Sequence, residues 1–362
     1  MTATASPSNA AWALIVPAIG VASLAAASWA ASSVLVALVI GVVLVVCVFA
    51  AVHHAEIVAL RIGEPFGTLV LAVAVTVIEV ALIVSIMLEA GEGAESLARD
   101  TVFAAVMIVC NGIVGVCLLA GGVRHRIQAF HLQGALAGLA VLAALTVLTL
   151  IVPNVTTTTP GPTLNPVQLL FAGFISLILY GAFVFVQTIR HRDFFLPPDV
   201  EEDSAHAEAP SARIAWLSFG ALLASLVAVV GLAKALSPML ERGLDAVDAP
   251  KALMGIVIAA LVLLPEGMAA YRAARFDRLQ TSMNLALGSA LATIGLTVPA
   301  VAVVSLILDV PIALGLGPKE IVLLSLTLLV ATITLGTGRT TVLQGIVHLS
   351  IFAAFVFYTL VP

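Results

Sequence analysis

Apolar runs bounded by charges, glycine or proline recur along the chain at 12–27, 34–52, 66–88, 101–120, 133–152, 166–188, 213–236, 252–271, 282–308, 320–336 and 341–361. Each is near the length a helix needs to cross a bilayer, so the pattern predicts an all-α membrane protein of eleven transmembrane helices. Polar residues collect between the runs. Residues 190–212 stand apart as a linker: Arg-His-Arg-Asp, then Pro197-Pro198, then Asp199, Glu201, Glu202, Asp203 and Glu208. Such a stretch reads as a solvated cytoplasmic hinge, with weak cation sensing as the second reading. The uncharged loop at 153–165 reads as an external turn without chemistry.

Setting aside the first run leaves five runs, the acidic linker, and five more. The expected organisation is therefore 1–31 with the first helix, 32–189 as one five-helix repeat, 190–212 as linker and 213–362 as a second repeat. A unit with an odd number of spans, used twice, inserts in opposite orientations. Loop charges then choose the sidedness. With the N-terminus inside, the inner loops hold 10 Lys and Arg and the outer loops 5, which favours a cytoplasmic N-terminus and an outer C-terminus. Met1 to Ala11 contains no Lys or Arg, so the first run is expected to be retained rather than cleaved as a signal.

Composition sharpens this without redirecting it. The 362 residues are 62% hydrophobic and 10% charged, with a mean hydropathy of +1.20, values that exclude an ordinary soluble domain. A net charge of −5 and the lack of a basic patch with interleaved aromatics exclude nucleic acid as a partner. Lipid is the expected surroundings, and a homo-oligomer is compatible with the chain. Cys47, Cys110 and Cys117 all fall inside apolar runs and read as free thiols packed as small apolar groups.

The chemistry begins at Glu79. A helix climbs about 20 Å from Phe66 to Glu79 and about 14 Å from Glu79 to Leu88, which places the carboxyl near the hydrocarbon midplane. An ionisable group at that depth must find a partner, a proton or a cation. Thr76, three residues earlier, presents a second oxygen on the same helix face. The second run of the second repeat carries a matching acid, Glu266, within Leu-Leu-Pro-Glu-Gly. Pro265 and Gly267 are expected to break that helix and free carbonyl oxygens. The following runs offer Asn111, beside Gly112 and Gly115, and the series Asn284, Ser289, Thr293 and Thr297. Asn111 and Ser289 are the best placed of these; helix packing is the competing reading for all of them. His53, His54 and Glu56 end the second run and are secondary candidates for moving protons, against a merely interfacial role. His348 and Gln344 read as a packing pair in the last span.

Two ionised glutamates facing one poorly hydrated cavity would be costly, so either protons or a hard cation such as Ca²⁺ or Na⁺ must neutralise them. The two routes exclude each other, which is the logic of antiport. A passive channel would want a ring of acids along an open path. An enzyme would want a metal cage or nucleophile, and neither His-Glu-x-x-His nor Gly-x-Ser-x-Gly occurs.

The stretches Gly63-Glu-Pro-Phe-Gly-Thr, Thr76-Val-Ile-Glu79-Val-Ala-Leu-Ile and Pro265-Glu266-Gly, with Asn284-Leu-Ala-Leu-Gly-Ser289-Ala, resemble the paired motifs of the calcium/cation antiporter superfamily. Within it, the chain is most similar to the bacterial ChaA-type sodium/calcium–proton antiporters of the calcium/proton exchanger branch. The resemblance implies that Glu79 and Glu266 bind metal cation and proton alternately, with Asn111 and Ser289 nearby and Glu56 in the flanking motif. It implies transported Ca²⁺, Na⁺ or K⁺ and H⁺, no cofactor, and a bacterial inner membrane. Where calcium exchangers of the wider branch carry Gly-Asn before the first acid this chain has Val75-Thr76, and where they carry Gln after the second it has Ala292. Fewer amide oxygens leave a monovalent-only Na⁺ or K⁺ exchanger open as the alternative.

Overall fold

A computed structural model describes residues 11–27, 33–63, 66–87, 94–196, 210–246, 248–309 and 312–361. The acidic cluster from Asp199 to Glu208 lies outside the described residues. The long helical stretches are α1 (Ala11–Ala27), α2 (Val34–Ile62), α3 (Phe66–Met87), α4 (Leu97–His125), α5 (Leu132–Asn154), α6 (Pro166–Arg190), α7 (Ala212–Ala246), α8 (Ala252–Arg275), α9 (Leu279–Leu308), α10 (Pro318–Leu335) and α11 (Val342–Leu360). Nine of these, all but α1 and α3, are long and apolar enough to cross a membrane by length and composition. Helices α1 and α3 carry the shorter apolar windows Trp12–Ala25 and Leu69–Ser85.

Two helices outrun the apolar pattern. Helix α2 continues past residue 52 to Ile62, so His53, His54 and Glu56 lie within it and not at its end. The extension keeps a helical period, burying Ala55, Ile57 and Val58 while exposing Glu56, Leu60 and Arg61. Helix α7 likewise runs to Ala246 through Pro238. The ladder also widens locally into π turns at Ile108–Ile113 in α4, Val147–Ile151 in α5, Val186–Arg190 in α6 and Thr293–Thr297 in α9. Each π turn inserts one residue into the helix, and such turns frequently sit at functional positions.

The chain forms two compact units, one of Met1–Ile86 with Glu202–Asp248, the other of Met87–Glu201 with Ala249–Pro362. In the first, α1, α2 and α7 pack on one another. Pro17 interrupts α1, and because proline has no N–H it leaves the carbonyl of Ala13, four residues earlier, without its helical donor. His54 of α2 supplies the replacement: its Nε2 donates to the Ala13 oxygen at 2.7 Å. Gly63 then turns the chain from α2 to α3 with φ 77°, a left-handed conformation that favours glycine. Its N–H closes α2 on Ala59 O at 2.9 Å.

In the second unit α8 packs against α4 and α9, α11 against α4, and α5 and α6 against α9. Helices α4 and α11 approach closely because Gly115 and Gly345 face the contact; a Cβ on Gly345 would stand 2.5 Å from the Leu119 nitrogen. The loops sort onto two faces. On one, 128–129 pairs antiparallel with 339–340, Gln128 Nε2 donates to Ala274 O at 3.0 Å and Asp277 Oδ1 at 2.8 Å, and the N–H of His131 donates to Gln280 Oε1 at 2.6 Å. On the other, Ala313 donates to Glu95 O at 3.0 Å and Leu316 to Leu150 O at 2.8 Å, while Arg99 donates to Gly315 O at 3.0 Å. Helix ends thus alternate between faces in chain order, as membrane-crossing helices must.

Candidate functional site

Glu79 sits in α3 with no other charged residue in that helix. It is 2% exposed and Thr76, three residues before it, 7%, so hydroxyl and carboxylate share a buried face. Glu79 follows the first residue of α3, Phe66, by 13 positions and precedes the last, Met87, by 8; the counts for Glu266 in α8, from Ala252 to Arg275, are 14 and 9. The two acids therefore stand at equivalent depths of their helices to within one residue. Glu266 is half-buried. The expected break at Pro265 does not occur: α8 runs unbroken from Ala252 to Arg275 with Pro265 buried inside it. Neighbouring helices support a proline in such a setting, and the cost is confined to one carbonyl, that of Leu261.

Asn111 is fully buried in the π turn of α4. Its Nδ2 donates to Thr327 Oγ1 of α10 at 2.9 Å and lies 3.8 Å from Met107 Sδ. Its Oδ1 meets His348 Nδ1 of α11 at 3.2 Å, and His348 Nε2 meets Thr334 Oγ1 of α10 at 3.1 Å. His348 is thus tied to Asn111 and not to Gln344, which turns back instead to cap α11 through the N–H of Thr341 at 2.8 Å. Sequence reasoning singled out His348 but could not see a partner 237 positions away. Thr327 and Thr334 carried no signal, being two threonines in an apolar helix.

The remaining candidates separate. Ser289 is half-buried on α9, and Thr293 is buried at the first residue of its π turn. Asn284 has both ends of its amide engaged: Oδ1 accepts from Gln280 Nε2 at 2.9 Å, and Nδ2 donates to Phe195 O at 2.5 Å. It clamps the segment after α6 to α9. In the first unit the His53 ring lies tilted against Trp12 and His54, with centroids 5.5 and 5.6 Å away, while Glu56 is exposed. Among the described residues no group of three or more His, Cys, Asp and Glu gathers as a metal cage. Taken unit by unit, the first offers the Glu79 carboxylate with the Thr76 hydroxyl on one helix face, and the second offers the Glu266 carboxylate and the Asn111 amide on separate helices; oxygens of these kinds are what hard cations take as ligands.

The family model of the sodium/calcium exchanger proteins matches residues 32–189 and 217–361. The chain belongs to this family. Among its exchanger relatives, the sodium-potassium/proton antiporter ChaA of Escherichia coli is 37% identical over 310 residues, covering 85% of this chain and 84% of its own. An ionic transporter of Sinorhizobium fredii, y4hA, is 52% identical over 87% of this chain and 86% of its own. The Ca²⁺/H⁺ antiporter of Aphanothece halophytica is 21% identical over 75% and 77%. The exchanger fold is shared with native YfkE, at a TM-score of 0.75 and 16% identity over 97% of this chain and 100% of that one. The H⁺/Ca²⁺ exchanger CAX follows at 0.68 and 13% over 92% and 87%.

Proposed function

We propose that the chain is a secondary antiporter that moves a metal cation one way and protons the other across a bacterial inner membrane, with Glu79 and Glu266 each holding proton and cation in turn. The observation that carries this reading is Glu79, 2% exposed at the middle of an otherwise uncharged apolar helix. A carboxylate there is tolerated only when neutralised, and protonation and cation binding are mutually exclusive ways of doing so. The equivalent position of Glu266 in α8 supports a second such group, and an extra first helix followed by two inverted five-helix repeats, eleven crossings in all, accounts for both acids occupying the second helix of a repeat.

Family membership supports the class, and the activities for which the relatives are named support the ions. The relative at 37% identity is named for sodium and potassium, the one at 21% for calcium. Together with Thr76 and Ala292 standing where amides would add oxygens, this favours Na⁺ and K⁺, with Ca²⁺ as the second cation. Sidedness follows from charge within the second unit. Arg124, Arg126, Arg190, Arg192, Arg272, Arg275, Arg278 and Arg339 gather at one face of this unit and Arg99, Lys251 and Lys319 at the other, which supports the arginine-rich face as the cytoplasmic one; a cytoplasmic N-terminus rests on the loop-charge count along the sequence.

Everted membrane vesicles with an acidified lumen and a pH-sensitive dye test this. Adding Na⁺, K⁺ or Ca²⁺ is expected to alkalinise the lumen, and Glu79→Gln or Glu266→Gln to abolish the response. Cation flux without proton movement would instead assign a passive channel.

A further inference from the structure

The knot around Asn111 has a direction that follows from counting protons. Thr327 has one hydroxyl hydrogen, and its Oγ1 lies 2.8 Å from Leu323 O, which can only accept. That hydrogen is spent there, so the Asn111 atom facing Thr327 is the amide nitrogen. The second N–H of the amide points at Met107 Sδ, 3.8 Å away. Asn111 Oδ1 then faces His348 Nδ1, and since a carbonyl oxygen cannot donate, Nδ1 carries a proton. In the neutral ring Nε2 is left as an acceptor, and Thr334 Oγ1–H donates to it across 3.1 Å. The order Thr334 to His348 to Asn111 to Thr327 to Leu323 crosses from α10 to α11 to α4 and back to α10, and the His348 ring also hydrogen-bonds to the backbone of Cys110, the residue before Asn111. Both amide hydrogens of Asn111 are committed, and one lone pair of Oδ1 remains for a further partner.

We infer that His348 is a positioning residue for cation binding: its Nδ1–H locks the Asn111 carboxamide so that it presents oxygen, never N–H, to a passing cation. The inference rests on the antiport reading and names a further part of that same machinery. A primary amide is nearly symmetric in shape, and Thr327 holds only its nitrogen end; without a donor at the Nδ1 position the oxygen end loses its own partner, which weakens the hold against a half-turn that would point N–H groups where a cation needs a lone pair. A π turn is where such a lock is needed, because the inserted residue takes the local ladder out of the regular α pattern.

The test uses the full-length chain in everted vesicles, with Na⁺ as the probe cation and the thermal melt of the detergent-solubilised protein read alongside. His348→Gln removes the donor at the Nδ1 position, whereas His348→Asn retains one there. The expected result is a rise of about tenfold in the half-saturating Na⁺ concentration for His348→Gln, the equivalent of one lost hydrogen bond, with the maximal rate within about twofold of native. His348→Asn is expected to rescue to within about twofold on both. Adding His348→Gln to Asn111→Ala is expected to change nothing further, because the histidine acts through the amide. Equal shifts for Asn and Gln, additive effects in the double variant, or an unchanged half-saturation overturn the inference. If His348→Gln melts below the assay temperature, Thr334→Val gives the same answer from the far side of the ring: half-saturation raised supports the lock, half-saturation native overturns it. Failure of the antiport reading is separable, since it would show as native transport in Glu79→Gln and Glu266→Gln.

Discussion

Among the described residues two histidines are buried, each joining its helix to others, and what they touch makes them different things. His54 reaches from α2 to α1 and ends on a backbone oxygen, that of Ala13, which Pro17 stripped of its helical donor. His348 reaches from α11 to α4 and ends on a side-chain oxygen, that of Asn111, whose other end is also fixed. The first repairs a fault in a helix. The second orients a polar group that has one lone pair unspent. Burial and residue type are the same in both, so the role is decided by the partner. A buried histidine beside a proline-freed carbonyl is a structural clip, and one beside a candidate ligand is part of the ligand's geometry. Substitutions should therefore split the two cleanly between stability and transport.

The largest effect is expected from cutting the α4–α11 knot at its centre. Asn111→Leu leaves His348 Nδ1–H and the lone pairs of Thr327 buried without their partner, at about 1–3 kcal/mol for each orphaned group. Both readouts should worsen: the detergent-solubilised protein should melt well below native, and cation-evoked alkalinisation of vesicles should need a Na⁺ concentration raised at least as far as in His348→Gln. A variant that melts lower but transports with native half-saturation would place Asn111 with the structural clips and erase the contrast.

The next effect belongs to His54. His54→Leu keeps the apolar volume but removes the donor to Ala13 O, so it should cost about 1–3 kcal/mol through one unsatisfied buried carbonyl. The melt should shift down while the half-saturating Na⁺ concentration and the maximal rate stay at native values. A change in half-saturation without a change in melting would give the His53–His54 pair a proton-handling role in place of the structural one.

The contrast also marks where sequence reading reaches and where it stops. Among the described residues the hydrophobic period located eleven helical stretches, and the matching positions of Glu79 and Glu266 along α3 and α8 are visible in the sequence by counting residues, because helix rise is fixed. Helix ends were less visible. The run at 34–52 continues to Ile62, since an amphipathic extension with two histidines and a glutamate looks like a loop when only average apolarity is read. Pro265 suggested a break that packing in α8 absorbs. Asn284 looked like a ligand by composition and is a clamp by contact. Above all, the partners of Asn111 come from α10 and α11, more than 200 positions later in the chain. No periodicity reports such a pairing; it exists only once helices are packed.

The smallest effect is the most diagnostic for the clip. If His54 is present only to serve the carbonyl that Pro17 abandoned, then restoring the N–H in α1 should make it dispensable. Pro17→Ala returns a donor to residue 17, and the Ala13 oxygen regains its helical partner at the position where the ring now donates. In the Pro17→Ala background, His54→Leu should then cost less than in the native chain by about 1 kcal/mol, the coupling expected of two groups that share one acceptor. A double-variant cycle read by thermal melting measures this difference, with transport as an internal control that should not move. Strictly additive costs would mean that His54 acts through packing, including its ring contact with His53, and not through its hydrogen bond. The parallel cycle at His348 and Asn111 should then be the only one of the two in which coupling appears, and it should appear in half-saturation.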